Sequence, residues 1–117
     1  MPLEKVLQPV IDQARNGIIV SYDLHNAIGS SYQLKKDPES RKIYFQNNKP
    51  VAIGSLMKRP DLAKTFEAIS KEGKDGFYDG WVAEKIQSSM KDNGGFIDSN
   101  DLEQYSSKFR DPIGVNY

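Results

Sequence analysis

Apolar residues recur along this chain at three- and four-residue intervals, and most of the resulting stripes carry their own start and stop signals. Leu3, Val6, Leu7, Val10, Ile11 and Ala14 form a first stripe that ends before Gly17, a residue suited to a left-handed helix end. Pro9 falls inside the stripe, leaves the Lys5 carbonyl without its helical partner, and predicts a kink or a restart. Ser21 is placed to cap a helix carrying Leu24, Ala27 and Ile28, whose end Gly29 weakens by about 1 kcal/mol relative to alanine. Asp37-Pro38 reads as a cap followed by the first helical position. Between Tyr44 and Leu56, the turn residues Asn47, Asn48 and Pro50 separate short apolar stretches and predict a minor hairpin.

The second half is more explicit. Pro60 and Asp61 suit a first helical turn, because proline lacks the N–H that would be orphaned there and a carboxylate favours the positive end of the dipole. Leu62, Phe66 and Ile69 follow at helical spacing, and Gly73 supplies the stop. A further helix is predicted from about Trp81 to Asn93, with Val82, Ile86 and Met90 on one face and Gly94 closing it. Asp98 opens another, with Asp101 in the acidic position of a capping box. Beyond Tyr105 the pattern decays into SSKFRDPIGVNY. The predicted fold class is mainly α: a small multi-helix bundle with a short hairpin near residues 44–56. With no internal repeat and no sign of a second domain, residues 1–117 read as one helical subdomain.

The order of these segments is more specific than any one of them. PDLAKTFEAI, then GKDGFYDG, then a helix beginning WVAEKI, then NGGFID and DLEQY resembles the large-chain segment of gamma-glutamyltranspeptidases, also called glutathione hydrolases. That family has P-D-L-A-x-S/T-L/F-x-x-I, then G-x-x-A/E/G-F-Y-x-G-x-I/V-A-x-x-I, then N-G-G-L/F-I/L-T/S-x-x-D-L-x-x-Y. Upstream, LQPVIDQARNGIIVS and KIYFQNNKPVAIGSLMKRPDLA are similar to its corresponding stretches, so the resemblance covers essentially the whole chain. Ser55 stands where the family usually has aspartate, which puts in doubt the hydrogen bond or cap that carboxylate would make.

The resemblance implies a helical piece excised from the α/β N-terminal-nucleophile hydrolase sandwich of a longer precursor, stopping where Pro112–Tyr117 would lead into a sandwich strand. The implied parent transfers or hydrolyses the gamma-glutamyl group of glutathione and related amides and is often exported. Its nucleophile is an N-terminal threonine freed by self-cleavage, with backbone N–H groups holding the oxyanion. None of this maps onto the present residues. Thr65 lies inside a predicted helix with its amine in a peptide bond, and Ser30-Ser31, Ser88-Ser89 and Gly94-Gly95 do not align with the family's substrate contacts. The resemblance therefore implies no catalytic, substrate-binding or metal-binding residue and no cofactor. The implied partner is the remainder of the precursor, its large-chain core and small catalytic chain. In isolation, Leu3, Leu7, Phe109, Ile113, Val115 and Tyr117 are the candidates for a sticky, self-associating patch.

Charge narrows the alternatives. Lys plus Arg and Asp plus Glu number sixteen each in 117 residues, so no net charge draws the chain to nucleic acid or anionic lipid. The cluster Lys35, Lys36, Arg41, Lys42 is interleaved with Asp37 and Glu39 and reads as solvated surface rather than a polyanion contact. There is no cysteine, no apolar run long enough to span a membrane, no signal-like opening and no phosphate-cradling glycine motif. His25 stands alone, without a second ligand for a metal. Phe77, Tyr78 and Trp81 form an aromatic group at an inter-helix joint, read as core packing with a turn at Gly80.

The one competing function is calcium binding. With Gly95 at the sixth position, MKDNGGFIDSND resembles an EF-hand loop that places Asp92 at three, the Phe96 carbonyl at seven, Ile97 at eight, Asp98 at nine and Asp101 at twelve. Met90 and Gly94 occupy the first and fifth positions, where side-chain oxygens are required, and the last ligand is the shorter aspartate. A stand-alone helical interaction domain is the third alternative.

Overall fold

The computed structural model describes residues 1–115. Its elements run α1 (Leu3–Asn16), β1 (Ile18–Ile19), α2 (Tyr22–Ser30), α3 (Tyr32–Lys36), α4 (Pro38–Tyr44), β2 (Phe45–Gln46), β3 (Lys49–Pro50), β4 (Leu56–Met57), α5 (Pro60–Glu72), α6 (Asp75–Tyr78), α7 (Gly80–Asn93) and α8 (Ser99–Gln104). The chain is mainly α, with the hairpin where the turn residues predict it.

Capping chemistry sets most of these boundaries. The Ser21 hydroxyl accepts from the Leu24 N–H at 3.1 Å, and Asp37 accepts from the Ser40 N–H at 2.7 Å, with Pro38 opening α4. Asp98 and Asp101 form the predicted capping box, each carboxylate accepting from the other's backbone N–H at 3.0 and 3.1 Å. Asn47 and Asn48 both take positive φ, 50° and 63°, as a two-residue I′ hairpin loop requires, and this pairs Phe45 with Pro50.

Four features depart from the sequence reading. Of the kink or restart expected at Pro9, the restart does not occur: α1 is one helix from Leu3 to Asn16. Lys5 and Pro9 are both exposed, so water can take the freed carbonyl. Gly17 is not left-handed helical but stands at φ 102°, ψ 161°, a region essentially confined to glycine. A Cβ there would lie 2.7 Å from the Leu56 Cγ. That close approach belongs to a feature the sequence hid, the antiparallel pairing of β1 with β4, which sets Ile18 opposite Met57. The short helices α3 and α6 were also unforeseen; each is about one turn, too brief to show a periodicity.

Two small apolar clusters hold the chain. One gathers Val20, Ile28, Phe45, Val51 and Met57, with Leu24, Leu34 and Tyr44 around it. The other joins α1 to α5 through Ile11, Ala14 and Ala63, flanked by Leu7, Leu62 and Phe66. Leu7 is thereby corrected from a sticky-patch candidate to a packing residue; Leu3, Phe109, Ile113 and Val115 are exposed, and Tyr117 lies outside the described residues. The arrangement is open. Its radius of gyration is 18.0 Å, whereas a compact domain of this length has about 13 Å. It exposes 9514 Å², against about 6,400 Å² for a folded monomer of this mass. Part of the excess is residues 105–115, which form neither helix nor strand.

The strained glycine and the Asp37 cap can each be tested. Gly17→Ala should destabilise the chain by about 1–3 kcal/mol from backbone strain alone, read as a lower urea midpoint. Asp37 titrates below the ordinary aspartate range because the Ser40 backbone N–H and then the Ser40 side chain hydrogen-bond its carboxylate. A depressed folded-state pKa stabilises above the unfolded value, about 3.9, and that contribution is lost as pH falls through the folded pKa. Asp37→Ala should therefore flatten the acid limb of the stability profile, and an NMR titration should place the Asp37 midpoint below that of an unfolded peptide.

Candidate functional site

Thr65, His25 and Ser55 each have a structural partner. Thr65, in the second turn of α5, donates its hydroxyl to the Asp61 carbonyl at 3.1 Å, one turn back in its own helix. His25, on α2, lies 2.8 Å through Nδ1 from the Val51 carbonyl. A carbonyl can only accept, so Nδ1 carries the proton and the ring fastens α2 to the segment after the hairpin. Ser55 donates its hydroxyl to the Ala52 carbonyl at 2.6 Å, closing a turn as a donor where an ionised aspartate could only accept.

The carboxylates of the calcium-like loop are engaged as well. Gly94 adopts the left-handed conformation that ends α7, at φ 70° and ψ 27°. Asp98 and Asp101 face each other's backbone N–H groups in the capping box, and Asp92 accepts from Ser88 at 3.5 Å. Among the described residues, no group of three or more acidic, histidine or cysteine side chains converges as a metal site.

The aromatic joint is only partly a core. Phe77 and Tyr78 meet edge to face at 5.0 Å, and Tyr78 stacks on Tyr105 with centroids 5.0 Å apart. Tyr105, the last residue of the DLEQY stretch, thereby joins the aromatic group at this joint. Trp81, expected in the core, is 44% exposed. Its neighbour Val82 takes the buried position, about 100° further round the helix. Trp81 instead lines an open groove with Phe77, Ile86 and Met90, so the apolar face of α7 is only partly covered, with Ile86 and Met90 half-buried. Further apolar surface lies on Val6, Val10, Ile18, Ile19 and Leu56. The basic cluster is solvated as expected, with Lys42 paired to Glu39 at 2.6 Å.

Sequence inspection missed Arg59, the residue before α5. Its backbone N–H donates to the Ala14 carbonyl at 2.7 Å, and its Nη1 donates to the Tyr44 hydroxyl at 2.7 Å. The guanidinium carbon lies 5.4 Å from the Tyr44 ring centroid, within cation–π range. Arg15 and Glu67 form an ion pair between α1 and α5. No helix among the described residues is long and apolar enough to cross a membrane. What the arrangement offers is a set of apolar surfaces, with Thr65, His25 and Ser55 hydrogen-bonded inside the chain.

Comparison with known proteins matches residues 1–117 to the family model of gamma-glutamyltranspeptidase. The chain is 37% identical over 119 residues to the glutathione hydrolase proenzyme of Escherichia coli K12, covering 100% of this chain and 20% of that protein. It is 34% identical over 118 residues to the acylase ACY 1 proenzyme of Pseudomonas sp. SE83, covering 100% of this chain and 21% of that one. The crystal structure of Helicobacter pylori gamma-glutamyltranspeptidase superposes with a TM-score of 0.91 at 35% identity, covering 97% of this chain and 33% of the other. The chain thus spans about a fifth of the length of the curated relatives it matches.

The engaged carboxylates of the 90–101 loop set an expectation for calcium. A site filled at 100 times its dissociation constant would add about 2.7 kcal/mol of stability. Millimolar calcium, and then chelator, should leave the melting temperature of this chain unchanged.

Proposed function

This chain belongs to the gamma-glutamyltranspeptidase family, and from that premise we propose that it is a non-catalytic helical segment of the large chain of such an enzyme. Residues 1–117 act as one subdomain, and their work is packing. The parent transfers or hydrolyses the gamma-glutamyl group of glutathione or a related amide. The single observation that carries this reading is the surplus of exposed apolar surface on a chain whose candidate polar groups already have partners inside it.

The physical argument is one of surface. Val6, Val10, Ile19, Leu56, Trp81, Phe109 and Ile113 are each more than 40% exposed. Covering such area is favourable by about 25 cal/mol per Å², and monomers seldom leave this much of it open. A remainder of the precursor that supplies the complementary faces accounts for the open shape, and a chain deprived of it self-associates. The chemistry needs a freed threonine amine; the place of Thr65 inside α5, with its hydroxyl on the Asp61 carbonyl, supports placing that nucleophile elsewhere. The acylase among the relatives leaves the parent's amide substrate open to more than glutathione.

Gamma-glutamyl-p-nitroanilide tests the assignment. The 117-residue chain alone should release no p-nitroaniline, while the full polypeptide that contains it should do so after self-cleavage. Turnover by the short chain would overturn the proposal.

A further inference from the structure

Arg59 is a half-buried cation without an acidic partner among the described residues. A guanidinium has five N–H donors, and Arg59 uses one of them, on the Tyr44 hydroxyl. Among the described residues it makes no ion pair, whereas Arg15, Lys42 and Lys64 each face a carboxylate. It is also held still. Its backbone is tied to Ala14, its guanidinium rests on the Tyr44 ring, and α5 begins at the next residue.

The surface beside it is a groove between α1, the β1–β4 pair and the start of α5. Val10, Ile18, Met57 and Leu62 line it, with Gln13 at one side. Val10 and Ile18 are 41% and 40% exposed there. Removing a guanidinium from water is costly unless its donors are matched, and a carboxylate matches them two at a time. The donors left over and the apolar walls therefore specify one kind of occupant.

We propose that this groove receives an Asp or Glu side chain, carried on an apolar segment of the remaining precursor, which forms an ion pair with Arg59. The inference rests on the scaffold reading and adds to it a location and a chemistry. Arg59 is a docking residue; it touches no reacting atom.

Carbodiimide coupling in the full polypeptide tests it. Arg59→Lys places a primary amine on a side chain one bond shorter. Activation of a neighbouring carboxylate then lets that amine displace the urea, forming an isopeptide bond that peptide mass spectrometry locates. Coupling from position 59 to an Asp or Glu outside residues 1–117 supports the pairing. Coupling only within those residues, or none, overturns it. A photoreactive benzoylphenylalanine at exposed Ile19 separates the two ideas: if it still cross-links beyond residue 117 or before residue 1, the scaffold reading stands and only the Arg59 pairing falls. If neither position reaches outside the segment, both fall. Should Arg59→Lys not fold, phenylglyoxal labelling of the unaltered proteins decides. Arg59 should be protected in the full polypeptide and reactive in the 117-residue chain, and equal labelling would overturn the pairing.

Discussion

The close meeting of α1 with α5 is the constraint on which the rest of the structure depends. It is made where side chains are smallest, at Ala14 and Ala63, with Ile11 filling the space beside them. Burying Ile11 contributes about 1.5–3 kcal/mol. The contact also orders the backbone around it. The Arg59 N–H reaches back to the Ala14 carbonyl, and Gly17 turns the chain so that β1 lies along β4. A larger residue at Ala14 or Ala63 would separate the helices and pull the backbone bond and the strand pair apart together.

From that junction the chain extends outward rather than around a centre. The second apolar cluster is built on Val20, Ile28 and Phe45, while α6 packs on α5, α7 on α6 and α8 on α7. Within α7 and α8 only Val82 and Leu102 are buried. A helix with one buried residue is not held by its own contacts, because helices of this length draw their stability from tertiary packing. The groove of α7 and the walls beside Arg59 are consistent with surfaces shaped for a larger body.

Much of the fold was legible because it is written locally. Caps at Ser21, Asp37 and Asp98, the proline at position 60 and the glycines at 73 and 94 each act within one turn of their own position. What stayed hidden depends on residues far apart in sequence. Ile18 gives no sign that it pairs with Met57, and Gly17 reads as an ordinary helix stop until Leu56 is seen against it. The same holds for the candidate chemistry. The calcium-like spacing of Asp92, Asp98 and Asp101 is real in sequence, yet the last two are spent on a helix start. Arg59 was invisible because its interest lies in a carboxylate that is not nearby. Trp81 misled because aromatic bulk predicts burial only when another element arrives to cover it.

The pairing of α1 with α5 has a consequence for synthesis on the ribosome. The first helix emerges with its apolar stripe complete, but its partner begins at Pro60. At about 5–20 residues per second, the stripe waits roughly 3–10 seconds before α5 can cover it. During that interval Leu7, Val10 and Ile11 are available to chaperones and to neighbouring nascent chains. Helix α1 is thus made well before its partner α5, and the length of that interval is set by translation speed rather than by the strength of the finished contact.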